Sequence, residues 1–175
     1  MDFKPTIIES ATTYTKLDVI KSWIPSVIVG LAGAYFLSSR GEYSYLDAFD
    51  LLVHEAGHVI FSFLGETIYF LGGTLMQLIV PILLLIFCFS NRLYKLFQII
   101  TIMLGQSFLN ISVYVGDAQT MKLRLFGPPG AKHDWNFLLT KYDILASCGD
   151  FEIAFVVCAV MVFLGGMIMP LFFKE

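Results

Sequence analysis

The sequence predicts an all-α protein, a polytopic transmembrane bundle of about five spanning segments with one short extended stretch at residues 66–71. Three observations predict it. Hydrophobic residues make up 57% of the 175 and charged residues only 14%, where a soluble domain carries about 25% charge. Mean hydropathy is +0.77. Apolar runs close to the ~20 residues that cross hydrocarbon recur along the chain. The net charge of −3 and the lack of any basic run argue against nucleic acid as a partner.

The residues ahead of the first apolar run, with Lys4, Glu9, Lys16 and Lys21 among them, are too polar for a cleaved signal peptide. The run that follows therefore reads as a retained span, from about Trp23 to Leu37. The second span runs from Tyr45 to Leu64 and the third from Gly73 to Phe89. Pro81 within the third predicts a kink or a broken segment. The fourth covers Leu96 to Val115 and the fifth Phe151 to Phe173. Between the second and third, GETIYFLG has a β-branched and aromatic middle bounded by glycines, which predicts the short strand. One connection is long, Gly116 to Asp150, with a Gly127-Pro128-Pro129-Gly130 turn followed by Lys132-His133-Asp134-Trp135. Such loops in small proteins are commonly functional. All of 1–175 reads as one membrane-embedded domain.

With five crossings and the N-terminus inside, Lys4, Lys16, Lys21, Lys122, Arg124, Lys132 and Lys141 face inward. Arg40, Arg92, Lys95 and Lys174 face outward, so the positive-inside bias favours a cytoplasmic N-terminus. A bacterial inner membrane is the expected location.

The chemistry lies in the second span. At its centre stands His54-Glu55-Ala56-Gly57-His58, an HExxH pattern. Residues four apart share a helix face, so both imidazoles can reach one metal. Glu55 is turned about 100° from His54 and can face a water on that metal as general base. Ionisable groups at mid-membrane cost about 2.5–3.5 kcal/mol each on insertion scales, which a bound dication would offset. Asp47, Asp50, His54, His58 and Ser62 continue the polar stripe. Asp50, one turn before His54, is either an orienting partner for that ring or a solvated acid. Asp47 reads as a solvated acid of the first turn.

A catalytic zinc takes three protein ligands and a water. The third ligand is open between His133, Asp117 and Asp134. His133 is the remaining histidine. Asp117 follows the fourth span, beyond Asn110 and Gln106. Asp134 is the neighbour of His133, and it also suits the cap of a helix starting at Trp135.

The HEAGH of His54 to His58 within an apolar span, followed by a Gly-bounded stretch and Gly72-Gly73, resembles the site-two-protease class of intramembrane zinc metalloproteases. The resemblance covers about 40 residues. It implies His54 and His58 as zinc ligands, Glu55 as general base, a third aspartate ligand from a later segment, and single-span membrane proteins as substrates. The family's Asp-Gly motif is missing: Asp117 is followed by Ala118. The GDAQ and HDW segments are also similar to those of small bacterial HEAGH membrane proteins.

These observations lead to an expected function: a zinc endopeptidase acting on membrane protein or peptide substrates at the bilayer. The alternatives are a zinc hydrolase of a lipid amide or ester and a non-catalytic metal-binding scaffold. In the protease reading, the 66–71 strand offers an edge to an unwound substrate.

Overall fold

The computed structural model describes residues 16–126, 130 and 132–172. Its six helices are α1 (Lys16–Ser38), α2 (Tyr45–Phe61), α3 (Glu66–Ser90), α4 (Tyr94–Gly116), α5 (Asp134–Lys141) and α6 (Cys148–Ile168). The all-α class holds, and no strand occurs among the described residues. Four helices are long and apolar enough to cross a membrane: those spanning Ile20–Ser38, Glu66–Ser90, Tyr94–Gly116 and Leu145–Leu171. Their outward faces carry Leu31, Ile86, Phe87, Val157 and Met161, all exposed as lipid-facing side chains are. Most of the expected Gly127–Gly130 turn lies outside the described residues.

Three expectations about the elements need correction. The stretch 66–71 is the first turns of α3, not a strand. Gly65, at φ 91, ends the preceding 3-10 turn Ser62–Leu64, and Glu66 then starts the helix. No strand edge is there for a substrate to join. Pro81 does not interrupt α3, which runs continuously from Glu66 to Ser90 with the ring buried. The third correction concerns α2.

Helix α4 is the axis of the bundle. Helix α1 runs beside it in the same direction, because Ser26 accepts a hydrogen bond from Gln98 and Arg40 donates to Ser112. Helices α3 and α6 run antiparallel to α4: Gln77 meets Asn110 and Phe89 meets Phe97, while Glu152 lies against Gly116 and Gly166 against Thr101. Helix α2 runs parallel to α4, since Asp47 meets Gln106 and Asn110 whereas His54 meets Tyr114.

Consecutive helices α1 and α2 therefore point the same way. The six residues 39–44 between them reach at most about 20 Å, less than the ~30 Å of hydrocarbon. Helix α2 thus starts part-way down the bundle, where Asp47 contacts Gln106 of α4, about 15 Å short of its end at Gly116. It is a re-entrant segment of 17 residues rather than a crossing. Four crossings put the two ends of the described chain on one side. The loops carrying Lys122, Arg124, Lys132 and Lys141 then lie at the opposite end of the bundle from Lys21, not with it. The expected charge bias, which counted five crossings, does not stand in that form.

A helix beginning at depth must satisfy its own first N–H groups. Ser44 and Asp47 do so with a capping box, and Asp47 Oδ2 accepts from both the backbone N–H and the hydroxyl of Ser44. The irregular residues 39–43 line an open cavity, where backbone at membrane depth is tolerated.

Two apolar clusters fix the frame. One joins Ile111, Val115, Trp135 and Leu139, clamping α5 to the end of α4; the other packs Val29, Leu109, Ala159 and Phe163 between α1, α4 and α6. Helices α2 and α3 meet through glycines. A Cβ on Gly57 would strike the Gly72 carbonyl, and one on Gly73 would strike the His54 ring.

Candidate metal centre

His54 and His58 share one face of α2 and are both buried. Opposite them stands Asp134, the first residue of α5, also buried. His54 Nε2 lies 2.8 Å from Asp134 Oδ2, and His58 Nε2 lies 3.2 Å from the same oxygen. Potential ligand atoms of the three residues all fall within 4.8 Å of one another. Ligand atoms of a tetrahedral zinc stand about 3.3 Å apart, so the donor spacing is near what such an ion takes.

Each ring is held from behind. His54 Nδ1 lies 2.9 Å from Gln77 Oε1, and His58 Nδ1 lies 2.8 Å from the carbonyl oxygen of Tyr69. Both partners are acceptors, so both rings donate from Nδ1 and turn the Nε2 lone pair toward Asp134. Two lone pairs and a carboxylate oxygen then converge on one point, an arrangement that repels itself unless a cation occupies the middle. Protonating one ring leaves the other lone pair against Oδ2. Protonating both sets two positive rings with centroids 4.8 Å apart in a poorly solvated bundle. The donor set and its enforced tautomers therefore fit a divalent metal bound by His54, His58 and Asp134, with second contacts of the kind metal-ligating histidines make. Two histidines and a carboxylate suit zinc among other ions.

Asp134 is placed by Tyr114. The phenol donates to Asp134 Oδ2 at 3.2 Å and accepts from the Asp134 backbone N–H at 3.1 Å. Glu55 is exposed on α2 and lines a cavity of about 580 Å³ together with His54, His58, Tyr114 and Asp134. Its carboxylate has no hydrogen bond or ion pair to any described residue, which leaves it available as a base toward a molecule in that cavity.

The other two candidates for third ligand serve elsewhere. His133 is the N-cap of α5: its Nδ1 accepts from the Asn136 N–H at 3.3 Å, so the ring proton resides on Nε2. Burial pushes the His133 pKa down, and the nearby Asp117 and Asp134 carboxylates do not restore it. A neutral ring with its lone pair used as a cap has none to give a metal. It stacks on Tyr114 with centroids 4.2 Å apart. Asp117 ends α4 and holds the turn that follows, accepting from Thr120 Oγ1 and from the backbone N–H groups of Lys122 and Leu123. Burial raises its pKa, but those hydrogen bonds outweigh burial and hold the carboxyl below the usual range. Asp117 Oδ2 is 3.7 Å from His133 Nε2, outside the group formed by His54, His58 and Asp134.

Asp50 makes no direct hydrogen bond to His54: its Oδ1 accepts from Ser107, and its carboxylate lies against Gln77, the partner of His54 Nδ1. Asp47 is not a solvated acid: besides capping α2 it accepts from Gln106 and Asn110 on α4. The residues that the sequence did not single out as site residues are Gln77, Tyr69 and Tyr114. A glutamine inside an apolar run was the available signal, since polar side chains in such helices face a partner. No family model, curated protein or solved structure matches this chain.

Proposed function

We propose that this chain is an intramembrane zinc metallopeptidase. His54, His58 and Asp134 hold the metal, and Glu55 acts as general base on a membrane protein or peptide substrate. One observation carries the reading: two imidazole lone pairs and a carboxylate meet at one point, on the wall of a cavity that Glu55 also lines. Zinc held there would supply Lewis acidity toward a scissile carbonyl and a bound water. Glu55 takes the proton from the attacking water and passes it to the leaving amine. Tyr114 holds the Asp134 carboxylate in place while this happens. The re-entrant start of α2 leaves the cavity bounded by Ser39, Arg40 and Gly41, a route for water from the end of the bundle where α4 terminates.

The test is Glu55→Gln in proteoliposomes with a single-span peptide substrate. The variant keeps its zinc and loses at least about 100-fold in cleavage, the lower range for a general base. Cleavage at the wild-type rate would remove Glu55 from the mechanism.

A second reading, hydrolysis of a lipid amide or ester, is favoured by the apolar share of the cavity wall, where Phe36, Leu51, Phe70 and Leu109 lie. Mass spectrometry of the reconstituted lipid, run beside the peptide assay, separates the two. For location, we propose a bacterial inner membrane.

A further inference from the structure

The cavity that Glu55 lines carries positive charge that its own residues leave unused. Arg40, Arg124 and Lys132 all line it. Arg40 is engaged: it stands 2.6 Å from Glu152 and donates to Ser112 at 3.1 Å. Neither Arg124 nor Lys132 makes an ion pair with any described residue. The acids on the same wall are mostly committed. Asp134 faces the two imidazoles, and Asp47 accepts from Ser44, Gln106 and Asn110. Glu55 is the base of the proposed reaction. Glu42, on the connection between α1 and α2, is then the one uncommitted acid on this wall set against two open cations.

Both cations are placed by the fold. Lys132 Nζ stands 5.8 Å from the centroid of the Phe70 ring and 5.2 Å from that of Phe137. Those two rings stack with centroids 4.0 Å apart. Aromatic faces attract an ammonium without neutralising it, so Lys132 is steadied on the wall with its charge open to a ligand. Arg124 follows the turn that Asp117 holds through the Lys122 and Leu123 N–H groups. Its guanidinium forks to match a carboxylate. The rest of the wall includes Phe36, Leu51 and Leu109. Apolar wall beside two open cations suits an apolar segment that carries an anion.

We propose that Arg124 and Lys132 form an anion subsite that selects peptide substrates bearing a carboxylate close to the scissile bond. This rests on the peptidase reading and adds the substrate class to it. The reach sets the spacing. Lys132 precedes Asp134 by two residues, a backbone separation of at most about 7 Å, and a lysine stem adds about 6 Å. Extended peptide covers about 3.4 Å per residue, so the carboxylate lies within about four residues of the cleaved bond. A glutamate or aspartate side chain and a C-terminal carboxylate offer the same chemistry.

The experiment uses the full zinc-loaded chain in phosphatidylcholine proteoliposomes. Single-span peptides carry glutamate, glutamine or lysine at the positions bordering the apolar run, each with a free or an amidated C-terminus. Wild type prefers the glutamate over the glutamine peptide by at least about fivefold in kcat/KM, the upper range for an exposed ion pair. The preference lies mainly in KM and shrinks as salt rises. It falls toward one in Arg124→Gln and Lys132→Gln, and Lys132→Glu shifts it toward the lysine peptide. A preference that follows the free C-terminus supports the subsite with the terminal carboxylate as its ligand.

Equal cleavage of the glutamate and glutamine peptides, with either terminus, overturns the proposal. So does a preference that survives both substitutions together. Peptides treated alike while phosphatidylglycerol in the vesicle inhibits through the same two cations overturns it in favour of a lipid phosphate. Binding of the same peptides to zinc-loaded Glu55→Gln, read by fluorescence anisotropy, separates the two claims. A charge preference in binding that follows Arg124 and Lys132, with no peptide cleaved by wild type, refutes the peptidase reading and leaves the subsite standing. Cleavage by wild type with no charge preference in binding or rate refutes the subsite and leaves the peptidase.

Discussion

At the scale of single residues, what separates Asp134 from His133 and Asp117 is the direction of a few hydrogen bonds. The HExxH spacing made His54, Glu55 and His58 legible, because four residues on a helix set a shared face irrespective of the rest of the fold. It left three third ligands open, and only tertiary placement distinguishes them. Asp134 starts a helix whose cap is the neighbouring histidine, so one residue of the pair holds the helix and the other faces the site. His133→Ala should therefore keep a metal-binding chain while costing about 0.5–2 kcal/mol, the worth of a cap. His133→Ser, which caps without an imidazole, should recover most of that; thermal melts in detergent with and without zinc measure both. Asp117→Ala should likewise leave the metal bound and lower stability by about 1.5–3 kcal/mol through lost hydrogen bonds to a charged acceptor. Because its folded pKa is depressed, the stability Asp117 contributes is complete above its unfolded value near 3.8 and is lost as pH falls through the folded value. Asp117→Asn should remove that part of the acid sensitivity, seen as a smaller drop in melting temperature than in wild type as pH is lowered from about 5 to about 3.

At the scale of elements, hydropathy located α1, α3, α4 and α6 because long apolar runs have few alternatives in a membrane. It misjudged α2 and the residues after it. The α2 segment matches a span in composition at its centre, and its re-entrance is set by the parallel course of α1 and α2, a relation between helices that no local window contains. The 66–71 stretch looked like a strand from its β-branched and aromatic residues, but Gly72 and Gly73 must lie on a helix to let α2 approach. Tertiary packing overrides that local preference. The α2–α3 contact yields a prediction at this scale. Gly73→Ala puts a methyl group into the His54 ring, so the variant should remain helical and inserted while losing metal affinity by at least about tenfold, the lower range for disturbing a ligand's surroundings. Circular dichroism beside a zinc titration reads the two separately. A Gly73→Ala chain that binds zinc as wild type does would show that His54 tolerates displacement.

For the whole molecule, four crossings and one re-entrant helix make a bundle with a cavity in its side. Residues 39–43, Asp47, His54, Glu55, His58 and Asp134 line that cavity, so these polar groups, which a bilayer disfavours, face it rather than lipid. Reporter fusions should place the end of α6 on the same side as the start of α1, with single cysteines at residues 122–126 labelled from the opposite side. Five crossings would put the two ends on opposite sides. The most direct measurement of the central claim is the zinc content of the purified chain. Wild type and Glu55→Gln should each carry about one zinc per chain, and Asp134→Ala should carry none. Wild type isolated in zinc-containing buffer with no bound metal, or Asp134→Ala retaining a full equivalent, would contradict it.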